Sequence, residues 1–382
     1  MIHTKLGKIL LLKTLQQDFN MIKLTTRLDR YIIKKFLGTF VFSILLIIFI
    51  AIIFDFAERL DDFLERHAPL DKIIFDYYLN FIPYFVNLFT PLFVFIAVIF
   101  FTSRLAQRSE IIAMLSSGIN FNRLLYPYLL SAFLIAIFNL MASNFIVPRA
   151  TKNKLAFEEI YIRNPFRNNN IHIHRQIEPG IFVYMESFSV ENDIAYRFSL
   201  EHFENKKLKS KLYTDYAQWD STKKKWKLIN CYIRDFYDSY EKITHYDFKD
   251  TSIKLLPDEF KRRTEFVETM DFFRLNEYIK QKKLEGDENV IHYEVVRYQR
   301  LINPLSIFVL TLIGVSVSSR KRRGGIGAHL GFGLALSFSY IVFMQVSTYL
   351  AIGGTFPVWL GVSLPTITFF IVALLLYSRV QK

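Results

Sequence analysis

The sequence predicts a polytopic α-helical membrane protein: six transmembrane helices with an all-β, jelly-roll-like domain inserted between the third and fourth. Three observations predict it. Of 382 residues, 52% are hydrophobic and 39 are Phe, gathered in blocks rather than dispersed. Between two groups of such blocks, residues 149–299 switch to short alternating segments. Basic residues lie beside alternate ends of the apolar runs, as the positive-inside bias requires.

The first span is Phe36–Phe54, an uncharged run close to the roughly 20 residues a bilayer demands. Arg27, Arg30, Lys34 and Lys35 precede it, and Asp55, Glu58, Asp61 and Asp62 follow, which places the N-terminal segment (1–35) in the cytoplasm. Residues 1–20 read as an extension, because Met21 opens a more natural start, and no cleavable signal is apparent. The second span, Leu79–Phe101, contains Pro83 and Pro91 and is expected to kink. The third, Leu124–Val147, is expected to end at Pro148, closing a unit over residues 36–148.

Segments such as IFVYMES, AYRFSLEHF and WKLINCYIRDFYD alternate with period two, and EPG, ENKK and STKKK mark hairpin turns. They predict at least six strands over residues 149–270, forming a sandwich or jelly roll on the outer side. A helical connector, 271–300, includes DFFRLNEYIKQKKL and stops at Gly286. Spans four to six follow at Leu301–Val317, Ile326–Leu350 and Val358–Tyr377 within residues 301–382. Arg320–Arg323 and Arg379 with Lys382 mark the cytoplasmic side again, so both termini lie inside.

Between spans two and three lies a polar stretch, TSRLAQRSEIIAMLSSGINFNRLL, with a helix expected over about 103–118. Ile111, Ile112 and Leu115 share one side of its wheel; Glu110, Ala113 and Ser117 share the other, with Gln107 and Met114 at the edge. Gly118 suits a left-handed stop, and Asn120 can cap the next helix. The stretch reads either as a docking helix offering a carboxylate to a cytoplasmic partner or as an ordinary interfacial loop helix.

Much chemistry is excluded. A net charge of +13 in a membrane chain points to topology and anionic lipid, not nucleic acid. The single cysteine, Cys231, rules out an intramolecular disulfide and any cysteine-based zinc cluster. There is no phosphate-binding GxxxxGK[ST]. His172 and His174 are two apart with no third ligand, so no metal site is expected. The intramembrane polar residues Asn87, Asn139, Asn144 and Gln345 do not titrate, so energy must come from another subunit. Gly327, Gly331 and Ala335 repeat every four residues and permit close helix approach, either as internal packing or as a moving seam.

LDRYIIKKFL, RLAQRSEIIAMLSSG, FVYMES, the W-K-L of Trp226–Leu228 and RLINPLS together resemble the LptF/LptG family of lipopolysaccharide-export permeases, its LptG branch in particular. The resemblance runs from Leu28 to Arg379. It implies a non-catalytic permease of the bacterial inner membrane, paired with a related LptF/LptG-type permease. A cytoplasmic ABC ATPase dimer would hold ATP and magnesium, this chain binding no cofactor. Lipopolysaccharide would be extracted among membrane lipids and passed through periplasmic β domains to a periplasmic bridge protein. Glu110, with Arg108, Met114, Ser117 and Gly118, would meet the ATPase. Phe40, Ile44 and Ile47 of the first span and Gly331 and Ala335 of the fifth would line a lateral gate. Phe182, Tyr184 and Phe198 would lie in an apolar trough for acyl chains. The acids Asp55, Asp61 and Asp62 depart from the basic residues suited to lipid phosphates, so no head-group contact is assigned there. The rival readings are a membrane-anchored assembly protein and a stand-alone secondary lipid transporter.

Overall fold

The computed structural model describes residues 26–319 and 325–380. The proposed extension 1–20, the Arg320–Arg323 run and Lys382 lie outside the described residues. Among those described, six helices are long and apolar enough to cross a membrane. The first, α1 (Arg27–Glu65), opens on a capping box in which Thr26 and Asp29 satisfy each other's backbone N–H groups. It runs past Phe54, so the acids from Asp55 to Asp62 extend the helix instead of forming a loop. At about 1.5 Å per residue, its 39 residues outreach any bilayer core.

The second span begins early: a helical turn at Leu70–Lys72 passes through a π turn, Ile73–Tyr78, into α2 (Leu79–Gln107). Pro83 and Pro91 sit inside α2. A short helix, α3 (Glu110–Ser116), separates it from α4 (Phe121–Met141). The helix of the third span does not stop at Pro148: a π turn at Ala142–Ile146 leads directly into α5 (Val147–Tyr161), with Pro148 in its first turn.

Seven strands follow: β1 (Ile173–Glu178), β2 (Ile181–Met185), β3 (Ser187–Ser189), β4 (Ile194–Glu204), β5 (Lys207–Asp220), β6 (Lys225–Phe236) and β7 (Glu241–Thr251). They form one antiparallel sheet in the order β1-β2-β4-β5-β6-β7, with β3 beside β4. The inserted domain is therefore all-β as expected, but its sheet is open and not a closed jelly roll. Its last strand explains why: β7 is exposed along most of its length on both faces, so it offers no apolar row to a second sheet. The inner face is instead covered by the segment after β7, through Leu255 and Phe260, and the Trp226 indole donates to the Leu255 carbonyl at 2.9 Å.

A crease crosses this sheet. Arg197, Asp215, Asn230 and Asp247 each drop out of the pairing registers of β4, β5, β6 and β7. Arg197 and Asn230 adopt positive φ, and because one residue drops out on each paired strand the register holds while the inward-facing parity changes across the crease. Ala195 and Phe198 both face the core although their spacing is odd.

Two 3-10 turns, Pro257–Glu259 and Thr264–Thr269, lead to α6 (Phe272–Glu285), capped by Asp271 and closed by left-handed Gly286. An Arg175–Asp287 ion pair at 3.0 Å ties β1 to this connector. The remaining spans are α7 (Val290–Ser318), α8 (Gly325–Ile352) and α9 (Val358–Ser378). Helix α7 is the centre of the bundle, packing on α2, α4, α6, α8 and α9. Its Gly314 allows that approach, since a Cβ there would stand 2.8 Å from Val98 of α2.

Candidate functional site: the α3 junction and the membrane faces

The helix expected over 103–118 is two pieces. Residues 103–107 complete α2, and the chain breaks at Ser109, whose φ of +60° is left-handed. That kink turns α3 away from the membrane axis. Gly118 is left-handed as expected, with φ +88°, and the Asn120 side chain accepts from the Asn122 N–H at 3.1 Å to start α4. The inward face is Ile111, with Met114 and Leu115 packed on the same core. Ile112 is 47% exposed, so the apolar stripe follows i, i+3, i+4 and lies to one side of the expected set. Arg108, Ala113, Ser116, Ser117 and Gly118 are exposed, and Glu110 is half-buried.

The first residue of α3 and the start of α4 are both fastened to the foot of α1. The Tyr31 hydroxyl donates to Glu110 Oε2 at 2.9 Å. Beyond α3, the Arg123 guanidinium grips Asp29 with two parallel bonds of 2.7 Å, and Asp29 is 1% exposed. This fork-to-carboxylate geometry is the strong, directional form of an ion pair. The Tyr377 hydroxyl of α9 donates to Asn122 next to it. The first span is thus tied to α3 through Glu110 and to the start of α4 through Arg123, and the last span is tied to the start of α4 through Asn122. Sequence reasoning missed Tyr31, Asp29 and this use of Arg123. The spacing Thr26-x-x-Asp29 was an available signal for the cap, but nothing in it pointed 94 residues ahead.

The expected gate residues divide. Phe40, Ile44 and Ile47 turn inward and pack with Phe85, Phe89 and Phe93 of α2. The free face of α1 carries Phe42, Leu45, Leu46 and Phe49 instead. Gly331 and Ala335 are exposed on α8, and a Cβ at Gly327 or Gly331 would meet no atom within 4 Å. Among the described residues, Gly333 is a glycine of α8 set closely against another helix, at Ile99 of α2.

At the sheet side of the bundle, a cavity of about 360 Å³ opens between α2, α7 and α8, lined in part by Asn87, Gln299, Asn303, Gln345, Glu268 and Arg300. Asn139 donates to the Asn87 side chain at 3.0 Å. Arg300, 8% exposed, donates to the carbonyls of Met270 at 2.7 Å and Glu268 at 3.2 Å, pinning the connector onto α7. Burial pushes the Glu268 carboxyl above its ordinary pKa, against the pull of Lys154. The departure at the end of the first span also has a structural answer. Asp55 accepts from the hydroxyls of Tyr77 and Tyr78 at 3.2 and 3.1 Å, so its carboxylate is turned into the protein.

The three trough residues do not share a face. Phe198 is fully buried in the inner core beside Trp226, whereas Phe182 is 40% exposed on the other face. Tyr184 pairs with Ser199 on that same outer face, between the rings of His172 and His174. Strand alternation separates them: Phe182 and Tyr184 pair with Glu201 and Ser199, while Phe198 shares the inner face with Leu200.

The chain matches the family described as lipopolysaccharide export system permease LptF/LptG over residues 30–379, and it belongs to that family. It is 21% identical to the lipopolysaccharide export system permease protein LptG of Escherichia coli K12 over 359 residues, covering 92% of this chain and 98% of that protein. The same figures hold for LptG of Escherichia coli O6:H1. This chain is accordingly a multi-pass, non-catalytic transmembrane subunit of the lipopolysaccharide-export ABC transporter.

Proposed function

We propose that this chain is the LptG-type half of a permease pair, and that α3 carries the ATPase's motion to α1. The observation that supports this most is that the foot of α1 holds the first residue of α3, through Tyr31–Glu110, and the start of α4 just beyond it, through Asp29–Arg123. A shift of α3 therefore loads α1 directly through Glu110 and indirectly through the start of α4. In this reading the exposed side of α3, with Arg108, Ala113 and Ser117, rests on a cytoplasmic ATPase dimer that holds the ATP and magnesium. Glu110 is the hinge between that surface and α1.

The free faces of α1 and α8 meet the second permease and form the lateral gate, with Leu45 and Phe49 facing Gly331- and Ala335-type surfaces across the pair. Lipopolysaccharide enters between them from the inner membrane. It then passes across the β domain and onward to a periplasmic bridge protein. Both termini lie in the cytoplasm and the sheet in the periplasm.

The test is to express Glu110→Ala and Glu110→Arg with the partner subunits. Both variants are expected to lower ATPase co-purification or ATP-driven lipopolysaccharide release from proteoliposomes, Arg more than Ala. Unchanged association and unchanged release in both would remove Glu110 from the coupling route.

A further inference from the structure

Tyr31, Lys34, Lys35, Gly38, Thr39 and Phe42 recur at helical spacing, so they share one face of α1. With Phe100 and Arg104 of α2 they line an open groove of about 660 Å³. The groove is graded along its length. Three cations and a phenol stand at its basic end, Gly38 and Thr39 in the middle, and two phenylalanines at its apolar end. From Tyr31 to Phe42 is about 16 Å along the helix. Gly38 keeps the middle open, since a Cβ there would meet nothing within 4 Å.

The charge in this groove is not neutralised from within. Asp29 is turned away and consumed by Arg123. Glu110, the carboxylate nearest by, is bonded to Tyr31. Among the described residues no carboxylate pairs with Lys34, Lys35 or Arg104; Lys35 lies 5.8 Å from the Tyr31 ring centroid. Phe42 remains 66% exposed and Phe100 38% exposed. A free phosphate would satisfy the cations and leave both rings bare. An amphiphile with an anionic head and acyl chains satisfies both ends at once.

We propose that this groove is a binding site for an anionic phospholipid of the leaflet on the basic side of the membrane. Its head group lies on Lys34, Lys35 and Arg104, and its chains descend over Phe42 and Phe100. Tyr31 is both a wall of the groove and the donor to Glu110, so the occupied site fixes the position of the α3 carboxylate. That consequence rests on the reading of α3 as the coupling element; lipid binding itself does not.

The intact transporter is reconstituted in phosphatidylcholine vesicles with or without phosphatidylglycerol, then extracted gently and weighed by native mass spectrometry. Wild type is expected to retain phosphatidylglycerol, with affinity falling about fivefold for each of Lys34→Gln, Lys35→Gln and Arg104→Gln. Lys34→Arg and Lys35→Arg are expected to keep it, which separates loss of charge from misfolding, and millimolar inorganic phosphate is expected not to displace it. Glu110→Ala is expected to leave retention intact while disturbing transport, so failure of the coupling reading and failure of the lipid site are distinguishable. Equal retention in wild type and the triple Gln variant would overturn the proposal. Displacement by inorganic phosphate would overturn the lipid assignment in favour of a free-anion site.

Discussion

Helices α1 and α7 are both long and apolar, yet they use their apolarity in opposite ways. In its most apolar stretch α1 is only 17% buried, against 61% for α7. The more apolar helix is the less buried one. In a soluble protein that would be a packing failure; in a bilayer it is the expected result, because lipid is as good a solvent for Phe and Leu as the protein interior. What marks the interior of this bundle is small and polar side chains: Gly314, Ser306, Thr311 and Ser318 of α7 are all buried. The polar ties of α1 are confined to its ends, at Asp29 and Tyr31 on one side and Asp55 on the other.

This contrast can be broken most severely at the top of α7. Arg300→Leu would strip the carbonyls of Met270 and Glu268 of their donor and leave Glu268 without its nearest α7 cation. A loss of about 3 kcal/mol is expected, read by denaturant unfolding of the detergent-solubilised chain. Next, Gly314→Val drives methyl groups into Val98 and Phe95 and should cost about 2 kcal/mol by the same measurement.

A smaller, pH-dependent effect follows at Glu268, which lies outside the spans. Its native pKa is raised by burial above the ordinary 4.5. Below 4.5 both folded and unfolded states hold the proton and nothing is lost. As pH rises through the raised native value, the folded state must give up a proton it holds more tightly, and stability falls to a plateau. Wild type should therefore lose thermal stability relative to Glu268→Gln as pH climbs from 4.5, with the gap constant above the native pKa. A flat difference across that range would mean that the carboxyl is effectively solvated.

Tyr31→Phe removes one half-exposed hydrogen bond and is expected to shift stability by about 0.5 kcal/mol. Phe49→Ala, on the free face of α1, should change the fold of the isolated chain least, within about 0.5 kcal/mol. The same substitution should weaken co-purification with the second permease. An unfolding effect as large as that of Gly314→Val would contradict the assignment of this face as unpartnered within the chain.

The six spans were legible in the sequence because bilayer length and charge asymmetry act on whole blocks of residues. The π turns at Ile73–Tyr78 and Ala142–Ile146 were not, since they depend on packing rather than composition, and so the helix's continuation past Pro148 was not foreseen. Strand alternation revealed the β domain, while closure is decided by what covers β7, which alternation does not encode. The crease at Arg197, across which Ala195 and Phe198 both turn inward, is likewise not encoded by alternation. At the α3 junction Gly118 and Asn120 were readable from residue type. The kink at Ser109 was not, because serine rarely takes a left-handed conformation. The Asp29–Arg123 fork was invisible because its partners are joined only by the fold. Individually, Tyr31 and Asp29 look like ordinary interfacial residues before a span.

The central claim is that α3 and α1 move as one, and the most direct measurement is the ratio of lipopolysaccharide extracted to ATP hydrolysed by the reconstituted transporter. Arg123→Gln, at the start of α4, removes the second tie between α1 and the segment around α3 without touching the exposed face of α3. The account predicts that ATP hydrolysis by the assembled complex persists while the amount of lipid extracted per ATP falls severalfold. A variant that assembles normally and keeps the wild-type ratio would show that the motion reaches the gate by another route.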